Sequence, residues 1–146
     1  RMKKVEERLF DATLLAEAGL TRLSMTEVTR YPISEDVIVP APGQAAIAVQ
    51  TRDEASNLQE LLSHIHDAKT EQEVTIERSI LKRLGGGCAL PLGCCCHITE
   101  GVAELRIFYA NSTGTEYYLA THHAPLSEID TLLAQLTERL QHITTL

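Results

Sequence analysis

The clearest pattern in the chain is a mostly period-2 alternation of apolar and polar residues over positions 103–109, interrupted at Phe108. Alternate side chains of a β-strand point to opposite faces of the sheet, so this pattern predicts a strand with one buried face. Turn residues occupy positions 111–114, and residues 116–122 can pair back as the second strand of a hairpin. Residues 94–96 are predicted as a further strand with small, half-buried side chains.

Three segments place apolar residues at the spacing of a helix with one buried face. We expect these helices to begin at Ser56, Thr70 and Ser127. In the first two, Gln59 and Glu73 stand three residues after the first residue, as a capping box requires. The glycines at 85–87 end the second helix, because glycine adopts positive φ without steric cost.

The first fifty residues are predicted to contain a short buried strand at 9–15 and a further strand at 45–50. Residues 16–23 form a turn or short helix that carries Arg22, and Pro40-Ala41-Pro42-Gly43 marks a rigid hinge. From residue 70 onward the order is helix, loop, strands, helix. This order indicates a small α+β lobe in which an antiparallel sheet packs against helices.

Composition narrows the function classes. The formal net charge of -7 and the pI of about 5.3 argue against a nucleic-acid-binding surface. No apolar stretch approaches the roughly 18 residues of a membrane span, so we expect no membrane partner. The chain begins at Arg1 without the apolar core of a signal peptide, which favours a cytoplasmic protein. Because it does not begin with Met, we expect it to be part of a longer protein.

Cys88 is the most informative single residue, because it follows three glycines and precedes Pro91. Glycines leave room beside a thiol, so a bulky group could be attached to it. From the residues alone, a buried cysteine after a helix end is the commoner case. Similarly, Arg22 and Gln44 alone would be interpreted as surface or loop residues.

A zinc module is the main competing interpretation, because Cys88, Cys94, Cys95, Cys96 and His97 lie within ten residues. Zinc sites usually space their cysteines as Cys-x2–4-Cys pairs, which this stretch lacks. In a strand, moreover, the second of three consecutive cysteines points away from the other two. We therefore expect no metal site. A non-catalytic interaction module is a further alternative.

Four stretches resemble, in order and spacing, the sequences of porphobilinogen deaminases. Residues 10–23 are similar to Tyr-Asp-Ala-Ile-Ile-Leu-Ala-x-Ala-Gly-Leu-x-Arg-Leu, and residues 39–46 to Leu-Pro-Ala-x-Gly-Gln-Gly-Ala. Residues 75–79 are similar to Thr-Ala-Glu-Arg-Ala, and residues 84–93 to Leu-Glu-Gly-Gly-Cys-x-x-Pro-Ile-Gly. Together these stretches identify the chain as similar to the C-terminal half of that family. It departs from the family pattern at Ala45, Gly85 and residues 94–96.

The resemblance implies a hydroxymethylbilane synthase of tetrapyrrole and heme biosynthesis, a transferase. Such an enzyme condenses four porphobilinogens head to tail with loss of ammonia, and then releases hydroxymethylbilane by hydrolysis. It implies that Cys88 carries a dipyrromethane cofactor through a thioether. It also implies that Arg1 and Arg22 bind the pyrrole carboxylates and that Gln44 lines the cleft, since a guanidinium suits bidentate carboxylate contacts.

The resemblance also implies the architecture and the partners. Residues 1–39 would end a periplasmic-binding-protein-like α/β domain, domain 2. Residues 40–67 would form the hinge and the returning segment of domain 1, and residues 68–146 the cofactor-bearing α+β lobe, domain 3. The catalytic aspartate and the lysine beside it belong to the family's N-terminal half. We therefore expect no catalytic residue in this chain, no activity of the chain alone, and a monomer at full length.

Overall fold

The computed structural model of the protein describes residues 1–54, 56–87 and 89–144. The chain divides into two compact units, Arg1–Ser34 and Glu35–Leu146. Within the described residues, every helix is too short or too polar to cross a membrane.

The first unit contains two short helices, α1 (Met2–Glu6) and α2 (Glu17–Arg22). Helix α2 confirms the turn or short helix that was predicted at 16–23, and Leu20 is its buried residue. The strand predicted at 9–15 is wrong: this segment has no regular structure, and Phe10 and Leu14 are exposed. A strand needs a neighbour for its backbone hydrogen bonds, and the described part of this unit supplies none.

The second unit begins with an irregular segment and continues with the helices α3 (Ser56–Ser63) and α4 (Ala68–Arg83). Helix α4 starts earlier than predicted, because its N-cap is Asp67, whose carboxylate accepts a hydrogen bond from the N–H of Thr70 at 2.8 Å. The predicted glycine stop is confirmed, since the helix ends at Arg83 and Gly85 has a φ of 67°.

The sheet of this unit has three antiparallel strands in the order β1 (Leu92–Thr99), β2 (Val102–Ala110) and β3 (Tyr117–Pro125). The predicted strand, turn and hairpin are therefore confirmed. Cys94 lies opposite Ile107 and Cys95 lies opposite Arg106. A 3-10 turn (Leu126–Glu128) leads into the last helix, α5 (Ile129–Thr144), which was predicted from Ser127.

The core lies between one face of the sheet and helices α4 and α5, so the predicted α+β arrangement is confirmed. Its buried members include Ile80 of α4, Leu133, Leu136 and Leu140 of α5, and Cys94, Cys96, Leu105, Ile107 and Tyr109 of the sheet. Every second residue of β2 from Ala103 to Tyr109 is buried, because only one face of this strand meets the helices.

Two predictions in this unit are wrong, the strand at 45–50 and the buried face of α3. Residues 46–50 do not form a strand, and Ile47 is 77% exposed, as expected for a segment of domain 1 without the rest of that domain. The apolar stripe of α3 is also exposed, at Leu58, Leu61 and Ile65. Both segments have the apolar pattern of a buried element, but within the described residues no layer covers them.

Candidate functional site

The outer edge of β1 is closed by groups from the hinge and from α4. The backbone N–H of Cys94 donates to the carbonyl of Pro40 at 2.7 Å. Two positions further along the same edge, the N–H of Cys96 donates to the Glu77 carboxylate at 2.9 Å. The N–H of Ile98 donates to the Glu73 carboxylate at 2.7 Å. An edge strand presents alternate unpaired N–H groups, and here these three are satisfied.

Glu77 also fixes the hinge, because its second carboxylate oxygen accepts a hydrogen bond from the N–H of Gly43 at 2.6 Å. The side chain is buried, with only 7% of the residue exposed. Burial raises the pKa of Glu77, while the hydrogen bonds from Gly43 and Cys96 oppose that rise. A buried carboxyl on α4 therefore joins the hinge to the sheet.

The hinge is a tight turn around Gln44. Its N–H donates to the carbonyl of Ala41 at 3.0 Å, and its side-chain oxygen accepts from the Ala41 N–H at 3.2 Å. Gly43 and Ala45, on either side, have φ values of 75° and 70°. Gln44 itself is exposed at the rim of a cavity of about 250 Å³ that Glu77 also lines.

Cys88 lies outside the described residues. Two glycines of the stretch 84–93 lie so close to neighbouring atoms that a side chain would collide with them. A Cβ on Gly93 would lie 2.6 Å from the carbonyl oxygen of Val39, so only glycine permits this approach of β1 to the hinge. A Cβ on Gly86 would lie 2.7 Å from a methyl carbon of Leu90. The stretch 39–46 is thus in direct contact with 84–93, through Val39 and Gly93, and with 75–79, through Gly43 and Glu77.

The two predicted arginines belong to the first unit. Arg1 precedes α1 and lines a cavity of about 340 Å³ together with Lys4 and Phe10. Arg22 is the last residue of α2 and is exposed. Within the described residues, no ion pair engages either guanidinium, whereas Arg30 pairs with Glu17 at 3.2 Å. Arg1 and Lys4 place two cations at this cavity, which suits a carboxylate ligand, but Arg22 does not line it.

A second cluster lies on the sheet face that points away from the helices. The Nε2 atom of His97 lies 2.8 Å from a carboxylate oxygen of Glu35, and the Cys95 sulfur lies 3.4 Å from the same oxygen. The sulfur and the Nε2 atom are 3.5 Å apart. The hydrogen bond to Glu35 raises the pKa of His97, and the same bond lowers the pKa of Glu35.

The three described thiols are poor nucleophiles. Burial raises the pKa of Cys95 and of Cys96 to about 12, and it raises that of Cys94 further. The negative charges of nearby glutamates act in the same direction. Since the thiolate is the reactive form, these raised pKa values disfavour nucleophilic attack by the three thiols at neutral pH. Cys94 and Cys96 are core residues, and Cys95 faces the other way, as the strand period predicted.

Sequence reasoning missed Glu35 and Glu77, and its assignment of Glu73 to a capping box with Thr70 is wrong, because the Glu73 carboxylate accepts a hydrogen bond from the N–H of Ile98. Glu77 lies within the recognised stretch 75–79, and Glu73 precedes it by one helical turn, so their shared face was a usable signal. Glu35 offered no signal, because it is an ordinary polar residue in a loop and its partner His97 is 62 positions away.

Comparison with known proteins gives matches over most of the chain. The family model described as "Porphobilinogen deaminase, dipyromethane cofactor binding domain" matches residues 1–60, and the model "Porphobilinogen deaminase, C-terminal domain" matches residues 71–124. The porphobilinogen deaminase of Desulforudis audaxviator is 35% identical over 140 residues, which is 96% of this chain and 45% of the relative.

Two further relatives give similar values. The porphobilinogen deaminase of Bacillus cereus is 42% identical over 117 residues, which is 79% of this chain and 38% of the relative. That of Geobacillus kaustophilus is 37% identical over 119 residues, or 81% of this chain and 38% of the relative. The chain thus spans less than half the length of the curated relatives it matches.

Proposed function

Because the chain belongs to the porphobilinogen deaminase family, we propose that it is the C-terminal half of a hydroxymethylbilane synthase. This transferase condenses four porphobilinogens head to tail, with loss of ammonia, and then releases hydroxymethylbilane. The observation that carries the proposal is the match of two successive family models, at residues 1–60 and 71–124. The direct contacts among three of the four recognised stretches support it.

We propose that the cofactor is a dipyrromethane held by a thioether to Cys88. The family model over residues 1–60 is named for this cofactor, and Arg1, Arg22 and Gln44 all lie within that range. Cys88 lies within the second match, in the glycine-rich stretch 84–93. When bound, the dipyrromethane supplies the pyrrole position from which the product chain grows.

In this proposal the residues of this chain bind and orient the pyrroles. Arg1 and Arg22 hold the acetate and propionate groups of the pyrroles through charge-assisted hydrogen bonds. Gln44 presents its side-chain amide at the rim of the cavity beside the hinge. Glu77 holds this turn in place through its hydrogen bond to the N–H of Gly43.

The other half of the enzyme is proposed to supply the catalytic aspartate and lysine, so this chain alone is inactive. The exposed apolar residues of the second unit support a missing partner surface, namely Ile47, Val49, Leu58, Leu61 and Ile65. Exposed apolar patches of this kind mark interfaces. The occupant we propose is the N-terminal half of the same enzyme, and the complete protein is proposed to be a cytoplasmic monomer.

The domain organisation is part of the same proposal. Residues 1–39 complete a periplasmic-binding-protein-like α/β domain. Residues 40–67 form the hinge and return to domain 1, where the irregular segment 46–50 would gain its strand partners. Residues 68–146 form the cofactor-bearing lobe, whose α+β fold is described above.

The test is to express the complete reading frame, measure its intact mass and its consumption of porphobilinogen, and map the peptide that contains residues 84–97. We expect consumption, and added mass equal to one dipyrromethane on Cys88. Cys88→Ser should remove both, whereas Cys96→Ala, which removes a core thiol of the same peptide, should keep both. A complete protein that consumes no porphobilinogen would refute the activity. Added mass that persists in Cys88→Ser would refute the anchor.

A further inference from the structure

The cluster of Glu35, Cys95 and His97 has no role in the proposed deaminase chemistry. Its three donor atoms are a carboxylate oxygen, a sulfur and an imidazole nitrogen, and they all lie within 4.8 Å of one another. The pairwise distances are 3.4 Å from sulfur to oxygen, 3.5 Å from sulfur to nitrogen and 2.8 Å from nitrogen to oxygen.

These distances fit the edges of a tetrahedron around zinc. With Zn–S near ~2.3 Å and Zn–N and Zn–O near ~2.1 Å, tetrahedral ligands stand roughly 3.4 to 3.6 Å apart. The two distances that involve sulfur already have these values. Only the separation of nitrogen from oxygen must increase, by about half an ångström on the same geometry. The side chain of Glu35 is 54% exposed and can supply that movement.

We propose that Glu35, Cys95 and His97 form a zinc site, with water in the fourth position. Thiolate and imidazole are ligands that select zinc over magnesium or calcium. The Cys95 thiolate and the Glu35 carboxylate together balance the two charges of the ion, and the imidazole of His97 remains neutral. On binding, Zn²⁺ replaces the thiol proton of Cys95 and the Nε2 proton that His97 donates to Glu35. The thiol proton passes to water, and the neutral imidazole carries its single proton on Nδ1.

The backbone preorganises two of the three ligands. Cys95 and His97 are two residues apart on β1, so both side chains point from the same face of the sheet. Pairing with Arg106 and Glu104 of β2 fixes their positions. The zinc module considered from the sequence also contained Cys94 and Cys96. These two residues lie in the core and cannot share the site.

The site is reached through an open cavity, and a bound ion would affect the hinge. Glu35, Cys95 and His97 line the cavity of about 250 Å³ whose rim carries Gln44, so ion and water have access. A bound ion would tie Glu35, which lies shortly before the hinge, to β1, and this link would add to the hydrogen bond between Glu77 and Gly43. Zinc would therefore stiffen the hinge, and this holds whether or not the complete protein is a deaminase.

The experiment uses the tag-free chain in a Cys88→Ser background, so that this thiol contributes no ligand. Zinc retained after dialysis is measured by mass spectrometry, and Co²⁺ is then substituted as a spectroscopic probe. We expect one zinc per chain, a thiolate-to-Co²⁺ charge-transfer band, the visible bands of tetrahedral Co²⁺, and a higher melting temperature with zinc. Cys95→Ser, His97→Gln and Glu35→Gln should each weaken binding more than about 10-fold, since even outer-shell changes cost about 10- to 100-fold.

His123→Gln is the matched control, because His123 lies on β3 in register with Glu104 and is also exposed. It should keep zinc and the Co²⁺ spectrum. Glu35 and His97 are exposed, so Glu35→Gln and His97→Gln leave the core unchanged. A loss of zinc binding in these two variants would therefore not result from misfolding. A chain that binds no zinc, a Co²⁺ spectrum without the thiolate band, or equal affinity in Cys95→Ser would overturn the proposal.

Discussion

The carboxylate of Glu77 accepts a hydrogen bond from the backbone N–H of Gly43 at 2.6 Å, across 34 positions of sequence. Its other oxygen accepts from the N–H of Cys96 at 2.9 Å. A single buried side chain thus positions the turn that presents Gln44 and closes the edge of β1. Replacing it affects the hinge and the sheet together.

We therefore expect Glu77→Gln to destabilise the chain by about 1–3 kcal/mol, because an amide offers one acceptor to two buried N–H groups. Urea unfolding followed by circular dichroism measures this loss. Glu71→Gln is the control on the same helix. Glu71 is exposed and its ion pair is with His66, so its replacement should change stability by less than about 0.5 kcal/mol. Equal losses in the two variants would contradict the role of Glu77.

Ala45 is expected to be a strained residue, since it holds a φ of 70° where the family usually has glycine. A side chain in the left-handed region costs about 1–2 kcal/mol, and a glycine would avoid this cost. Glycine also loses more conformational entropy on folding, which offsets about 0.5–1 kcal/mol of the gain. Ala45→Gly should therefore stabilise by about 0.5 kcal/mol in the same urea assay. Ala46→Gly, at the next residue and outside that region, should instead destabilise. A loss of stability in both variants would show that Ala45 is unstrained.

The sequence predicted most of the second unit because its strongest patterns are local and find their partners within the chain. The alternation over 103–109 became β2, which pairs on both sides and rests on α4 and α5. The same reasoning failed at 9–15 and 45–50, since an apolar run becomes a strand only where a neighbour accepts its hydrogen bonds. The stripe of α3 was likewise a correct helix pattern without a covering layer.

The candidate site was less predictable, because its contacts join distant positions. Motif resemblance identified Cys88, Arg1, Arg22 and Gln44, but it gave no hint of Glu35. The strand period did predict that Cys95 would face away from its two neighbours. It could not predict what Cys95 would meet, since the nearest carboxylate lies 60 positions earlier in the chain.

Thiol labelling should separate Cys88 from the other cysteines. Burial and neighbouring carboxylates raise the thiol pKa values of Cys94, Cys95 and Cys96, so these residues stay protonated at pH 7. We expect brief treatment of the cofactor-free native chain with iodoacetamide to alkylate Cys88 alone, as read by peptide mapping. The same treatment in urea should label all four. Labelling within 94–96 in the native chain would show that these thiols are reactive in the folded state.

The carboxylate-binding role proposed for Arg22 can be tested in the complete enzyme. Arg22→Gln should lower kcat/KM for porphobilinogen by about 10- to 100-fold, the loss that corresponds to about 1.5–3 kcal/mol for a hydrogen bond to a charged group. Arg30→Gln is the matched control, since Arg30 lies in the same unit and already pairs with Glu17. If both variants lose activity equally, Arg22 has no specific role.

The pair of His122 and Tyr118 should make folding stability depend on pH. The Tyr118 hydroxyl and the Nε2 atom of His122 are 2.6 Å apart, and a neutral imidazole accepts this bond. Burial, followed by the positive charge of Arg139 and by His123, lowers the pKa of His122 below its usual 6.5. The folded state therefore binds this proton less readily than the unfolded chain. The stabilisation is present above pH 6.5 and is lost as the pH falls through the lowered folded pKa.

The measurement compares the free energy of unfolding at several pH values between 5 and 8 in the wild type and in His122→Gln, which keeps an acceptor but cannot titrate. The wild type should lose stability relative to the variant as the pH falls. His97 has a raised pKa and contributes the opposite trend, but it is present in both proteins and cancels. Tyr118→Phe keeps the ring that Arg139 covers at 4.8 Å and removes the hydroxyl, so its cost should shrink towards low pH. Parallel pH profiles for wild type and His122→Gln would show that His122 does not control this dependence.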